Sequence, residues 1–245
     1  MTSRRTLTAL ATLAAVLAPA AGHAATAKFQ AVLKPLNESG VSGIIRFTVD
    51  DVAQTLRVRA DVAGLAPNQV HVNHIHGLFE DDDNDFVPNE PRVPVNSVTP
   101  TPAADMDGDG FVEVLEGAPL YGDILFSLND PDMPGVNPVA NDAGELSYDY
   151  FYDLSMGSPL LENSVAGNVY TFDDLTPFTL REYVVHGDFV PAGVIAEDAD
   201  AGYYASLPVA AAEISPVPVP AAGVLLLGAL GGLGLMRRRR APAQA

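Results

Sequence analysis

The chain of 245 residues contains five histidines, and three of them stand together in His71-Val-Asn-His74-Ile-His76-Gly77. On a strand, residues two apart share a face, so His74 and His76 point the same way and can grip one ion. His71 lies at an odd offset from both, points to the other face and is better placed to brace the strand from behind. A further histidine, His186, ends the run Arg181-Glu-Tyr-Val-Val-His186-Gly187. A lone histidine reads as a core residue, but this clustering favours metal binding. The chain has no cysteine, so neither disulfides nor thiolate ligands exist. Imidazoles without a thiolate suit copper, zinc or nickel, with coordination geometry deciding among them.

A second constellation is built from oxygen. Asp105-Met-Asp107-Gly-Asp109-Gly110-Phe111-Val-Glu113-Val-Leu-Glu116 follows the calcium-loop pattern D-x-D-x-D-G-x5-E. Asp105, Asp107 and Asp109 would supply positions 1, 3 and 5, the Phe111 carbonyl position 7, Glu113 position 9 and a bidentate Glu116 position 12. Gly110 permits the sharp turn. Without a cation the five carboxylates repel one another. Ala118-Pro119 is read as forbidding much helix after Glu116, so a structural clip is expected rather than a sensor. Asp81, Asp82, Asp83 and Asp85 follow no ligand spacing and read as a solvated charge run, with a looser second site as the alternative.

The elements that must hold these residues read as strands. Leu56, Val58, Ala60 and Val62 alternate with Arg57, Arg59 and Asp61, as in a half-buried antiparallel strand. Lys28–Leu33, Gly43–Val49, Gln69–His76, Asp123–Leu128, Leu146–Leu154, Arg181–His186 and Leu207–Ile214 are further candidates, separated by Gly, Pro, Asn and Asp clusters. About eight short strands predict an all-β fold, a sandwich or barrel. From Leu78 to Gly122 no clear strand is read. That stretch carries eleven acids between Glu80 and Glu116, and a loop of this length is usually functional or disordered.

Composition divides the chain in three. It is 48% hydrophobic, yet its formal net charge is −18. Residues 1–24 and 217–245 hold six of the 13 basic residues and none of the 31 acids, which leaves the middle near −24. Such a domain excludes nucleic acid as a partner, because phosphate binding needs a basic face. Arg4 and Arg5, the apolar stretch Leu7–Ala21 and the small-residue exit Gly22-His23-Ala24 read as a signal peptide, 1–24, cut by signal peptidase. Val217 to Met236 is uncharged for about 20 residues, just enough for one C-terminal transmembrane helix. The four arginines that follow would stay inside, placing the acidic domain outside.

The tail resembles the bacterial PEP-CTERM class of sorting signals, with Val217-Pro-Val-Pro-Ala221 similar to its VPxPA variant. That resemblance implies recognition and removal by an exosortase-type protease, with a permanent anchor as the alternative. His71-Val-Asn-His74-Ile-His76-Gly77 resembles the copper-binding strand of Cu,Zn superoxide dismutases, and Val184-Val-His186-Gly-Asp188 resembles their later copper-ligand strand. The stretch from Gly64 to Gly77, followed by Asp105–Gly122 and by Leu207-Pro-Val-Ala210, is also similar to bacterial chordin-type (CHRD) secreted domains. Together these imply a Greek-key β-sandwich over 25–216. They also imply His74, His76 and His186 as a copper-type cluster (copper, or zinc), with His71 structural. The dismutase pattern further needs a bridging histidine, zinc ligands in the long loop, an arginine before the last strand and a disulfide. Leu78–Gly122 has no histidine, and no Arg or Lys lies between Arg181 and Arg237.

The expectation is therefore an exported, surface-sorted and non-enzymatic domain, holding structural Ca²⁺ and a copper-type ion, with a surface or matrix partner the sequence does not name. The alternatives are a copper-dependent oxidoreductase of the dismutase type and an exported metal scavenger.

Overall fold

The alternation in Leu56–Val62 becomes a strand with one dry face and one wet one: its four apolar residues are buried and its charged residues exposed. The structure, a computed structural model, describes residues 26–80, 92–163, 167–192, 202–218 and the single residue 230. The expected leader, the Asp81–Asp85 cluster and all of the expected membrane span except Val217, Pro218 and Leu230 lie outside the described residues. Among the described residues no helix is long and apolar enough to cross a membrane.

In chain order the elements are β1 (Ala27–Val32), β2 (Lys34–Pro35), β3 (Ser42–Asp50), β4 (Thr55–Ala63), β5 (Asn73–Phe79), β6 (Pro94–Val95) and α1 (Val114–Tyr121). Then come β7 (Asp123–Ser127), β8 (Leu146–Asp153), β9 (Glu162–Asn163), β10 (Asn168–Val169), β11 (Glu182–Val190), β12 (Gly202–Glu213) and β13 (Ser215–Pro216). The eight expected strands correspond to the eight of these that are five residues or longer. The fold is mostly β, in two antiparallel sheets. One runs β13-β1-β3-β4-β8, and the other β2-β12-β11-β5-β6 with β7 also paired to β5.

The two sheets share one core. Ile45, Phe47, Leu56 and Val58 of the first meet Ile75, Phe126, Tyr183 and Val185 of the second in a single apolar cluster. Each such fully buried side chain contributes roughly 1.5–3 kcal/mol. On the outer face of the first sheet Arg57 grips Asp149 with two bonds of 2.7 Å, and Arg59 reaches the same carboxylate at 2.9 Å. These pairs are exposed and contribute little to stability. Arg181 is wholly buried instead, donating to the carbonyl of Asp174 at 2.8 Å.

The outer face of the second sheet is covered. β11 is buried on both faces through His186, which accounts for its lack of apolar–polar alternation. Part of the cover comes from the described residues between Leu78 and Gly122, and here the structure corrects the sequence reading in two ways. β5 continues to Phe79 and pairs with Pro94–Val95. A helix, α1, also crosses Ala118-Pro119. Pro119 forgoes one bond, to the carbonyl of Leu115, on a residue that is itself exposed. A reciprocal capping box between Glu113 and Glu116 starts the helix and offsets that loss. Tyr121 and Ala118 then pack onto Val184, Ala211 and Leu36.

α1 stops at Gly122, whose φ of +86° places it in the left-handed region. A Cβ there would collide with the backbone carbonyl of Gly77. We expect Gly122→Ala to cost about 3 kcal/mol, since strained φ and a backbone clash act together. Urea denaturation measures this, and an unchanged midpoint would contradict the close docking of α1 on β5.

Candidate metal centre

β5 delivers His74 and His76 to one face by simple alternation, with Ile75 between them directed into the core. β11 pairs antiparallel with β5, setting Val184 opposite His74 and Glu182 opposite His76. His186, two residues past Val184, falls on the same face. Its register is irregular: the β11–β12 ladder shifts on both sides of His186, whose partner is Pro208. A proline has no N–H to give the ladder, so a bulge there is expected. Gly187 completes it with a φ of +110°. The ladder is thus irregular at the residue whose ring meets those of His74 and His76.

The three rings meet. Their centroids are 5.4 Å apart for His74 and His76, 5.3 Å for His74 and His186, and 6.0 Å for His76 and His186. One nitrogen from each lies within 4.8 Å of the other two. The Nδ1 of His76 reaches the carbonyl of Gly122 at 3.0 Å, and the Nδ1 of His186 reaches that of Ser206 at 2.7 Å. A carbonyl only accepts, so both Nδ1 atoms carry the proton and both Nε2 atoms present a lone pair. Those two Nε2 atoms and the Nδ1 of His74 are buried and have no hydrogen-bond partner among the described residues. Burial lowers the basicity of all three rings: His74 falls well below the usual histidine range, His76 to about 3 and His186 to about 4. At neutral pH the cluster is thus three neutral imidazoles, with the Nε2 lone pairs of His76 and His186 free and one nitrogen of His74 beside them, a set that could hold a metal ion.

His71 lies apart from this cluster. It is fully buried, with Nδ1 2.9 Å from the carbonyl of His186 and Nε2 3.0 Å from that of Ala66. Whichever nitrogen carries the proton donates to one of these carbonyls, so the ring is held at the back of the strand that carries His186.

The oxygen constellation closes on itself through backbone amides. Asp105 accepts from Gly108 N at 2.7 Å and Gly110 N at 3.0 Å, and Asp109 from Phe111 N at 2.8 Å. Glu116 accepts from Met106 N at 2.6 Å and from Glu113 N at 3.1 Å. These bonds gather Asp105, Asp107 and Glu116 into one triad within metal-holding distance, and Asp107, Asp109 and Glu113 into another. The second oxygen of Asp109 is buried with no donor among the described residues. Burial, a shared hydrogen bond with Glu116 and the charges of Asp109, Glu116 and Asp107 push the Glu113 carboxyl up to about 7. Phe111, the position-7 residue, packs its ring against Val190 and Leu207.

Several contributors carry no sequence signal. The carbonyls of Gly122 and Ser206 are backbone groups that any residue could offer. Asn37 sits in a turn at φ +54° and clips the loop to β12: its amide donates to Val112 O at 3.1 Å and Pro208 O at 2.9 Å, and its carbonyl oxygen accepts from Val112 N at 2.7 Å. Tyr121 stacks edge-on against His76 with centroids 4.6 Å apart. Glu182, opposite His76, accepts from Thr99 at 2.5 Å, leaves one oxygen without a donor, and is pushed by burial up to about 8.

Set against family models and against curated proteins, the chain matches none.

The lowered basicity of His186 has a measurable sign. Between its unfolded value near 6.5 and its folded value near 4, the unfolded chain takes up a proton that the folded cluster refuses. Stability contributed by the neutral ring is present above pH 6.5 and is lost as pH falls. Metal-free wild type should therefore lose about 2 kcal/mol relative to His186→Asn between pH 7.5 and pH 5. Denaturant melts of both proteins at the two pH values test this, and parallel behaviour would contradict it.

Proposed function

We propose that this is an exported, surface-sorted and non-enzymatic domain that holds two ions, a copper-type metal on His74, His76 and His186 and a structural Ca²⁺ on the 105–116 loop. The observation that carries the reading is the meeting of three buried imidazole nitrogens that have no hydrogen-bond partner among the described residues, two of them on rings oriented by carbonyls. An apolar-packing role leaves those nitrogens unexplained, because a buried unpaired polar atom costs about 1–3 kcal/mol. Neutral imidazole nitrogen suits copper or zinc, and the hard carboxylates of the loop suit Ca²⁺. The orphaned oxygen of Asp109 and the raised Glu113 carboxyl both fit a site designed around a cation.

The resemblance to chordin-type and Cu,Zn dismutase-like domains, and with it a Greek-key sandwich, belongs to this proposal. It is supported by two antiparallel sheets around one core and by the shared face of the three histidines. Export through the leader, anchoring by the C-terminal helix and release by an exosortase-type protease rest on the sequence of the two ends.

A dismutase-type oxidoreductase would use the same three imidazoles, and the partial exposure of His74 favours it by giving a small molecule one side to approach. Charge opposes it. A domain near −24 repels an anionic substrate unless local positive charge focuses it. Arg46 and Arg57 are paired with acids on the outer face of the other sheet, and Arg181 is buried.

Metal analysis of the purified chain should find a transition metal bound at close to one equivalent, absent in His74→Gln/His76→Gln. Superoxide turnover with added copper should stay at the level of free buffer. No retained metal after reconstitution would remove the metal reading, and fast turnover would replace it with the enzymatic one. For the loop, in protein already freed of transition metal and loaded with Ca²⁺, chelation should lower the melting temperature of wild type but not of Asp105→Ala, and equal melting of wild type with and without chelator would refute Ca²⁺.

A further inference from the structure

We infer that the carboxylate loop and the imidazole cluster are one coupled unit, in which Ca²⁺ on the loop raises the affinity of His74, His76 and His186 for their own ion. This regulation rests on the two-ion reading proposed above.

Two backbone carbonyls orient the cluster, and each belongs to a segment on which the loop rests. The first connection runs through α1. Glu116 is both the last ligand position of the loop and a member of the helix, where it caps Glu113 N at 3.1 Å. About 7.5 Å further along the helix axis, Tyr121 packs on the His76 ring, and the carbonyl of the next residue, Gly122, meets His76 Nδ1 at 3.0 Å. Gly122 is itself tied into the helix by its N–H on the Ala118 carbonyl at 2.8 Å. The second connection runs through β12. Asn37 binds Val112 of the loop and the carbonyl of Pro208 together, and Phe111 packs on Leu207. The residue before Leu207 is Ser206, whose carbonyl holds His186 Nδ1 at 2.7 Å.

The loop is also the part with most to gain from a cation. Its five carboxylates crowd two triads, and one oxygen of Asp109 is buried with no donor. Left without a cation, that repulsion loosens the loop and, with it, the footing of both carbonyls. An ion that orders the loop removes ordering entropy that the second ion would otherwise have to supply. By linkage the effect is mutual and equal in both directions.

The test uses the purified full chain, stripped of metal. Co²⁺ binding, read by its visible absorption, is titrated with and without saturating Ca²⁺, and Ca²⁺ binding is titrated with and without Co²⁺. The Co²⁺ dissociation constant should fall about tenfold in Ca²⁺, and that of Ca²⁺ by the same factor in Co²⁺. Asp109→Asn should bind Co²⁺ at the calcium-free affinity whether or not Ca²⁺ is added. Should that variant fail to fold, the reciprocal pair of wild-type titrations decides alone. Both ions binding wild type with neither affecting the other overturns the coupling and leaves the two-ion reading intact. Failure of either ion to bind wild type overturns both.

Discussion

A polar atom removed from water must find a partner or lower the stability of the fold that buries it. Three imidazole nitrogens on the outer face of the β5–β11 pair are in that position, and much of the surrounding structure is arranged around them. The outer face of a two-sheet β protein ordinarily meets solvent, as the paired arginines and acids of the first sheet do. Here the second sheet carries an apolar layer and a helix over the same face. The imidazoles are thereby kept neutral, which is the form that can bind a metal ion. Two of the three rings, those of His76 and His186, are oriented by carbonyls from outside the β5–β11 pair.

The acidic segment that joins β5 to β7 is therefore structural cover as much as a charged loop. It supplies the helix that seals the cluster, the glycine carbonyl that orients one ring and the carboxylates that converge a short distance away. Its excess charge is tolerated because backbone amides of Met106, Gly108, Gly110 and Phe111 point at the carboxylates. Those bonds preserve spare lone pairs, since each carboxylate can accept about four. The strongly acidic composition of the middle of the chain thus has a local use in this segment, while the Asp149 and Asp61 pairs show its ordinary solvated use.

Period-two patterning made the strands legible, and with them the shared face of His74 and His76. It could not bring His186 to that face. Its place there depends on the β5–β11 register and on the bulge at Pro208, both tertiary, and the sequence pointed to it only through resemblance to the dismutase strands. α1 is hard to read from sequence because it contains Pro119, which disfavours a helix interior. In a helix of two turns that proline removes one bond, and the Glu113–Glu116 capping box overlaps the ion-binding pattern. The carbonyls of Gly122 and Ser206 had no signature to read, since backbone oxygens do not depend on residue type. The Asn37 clip joins positions more than 70 residues apart, beyond the reach of any local pattern.

β13 pairs with β1 at the edge of the first sheet, through Phe29 opposite Pro216 and Val217 N on the Lys28 carbonyl at 3.0 Å. The chain just before it, β12, belongs to the other sheet. Tension applied beyond Pro218 would meet this short edge pairing first, and only afterwards the twelve-residue strand that holds the Ser206 carbonyl. A molecule pulled by its C-terminal end would yield a few residues of slack there before any load reached the histidines.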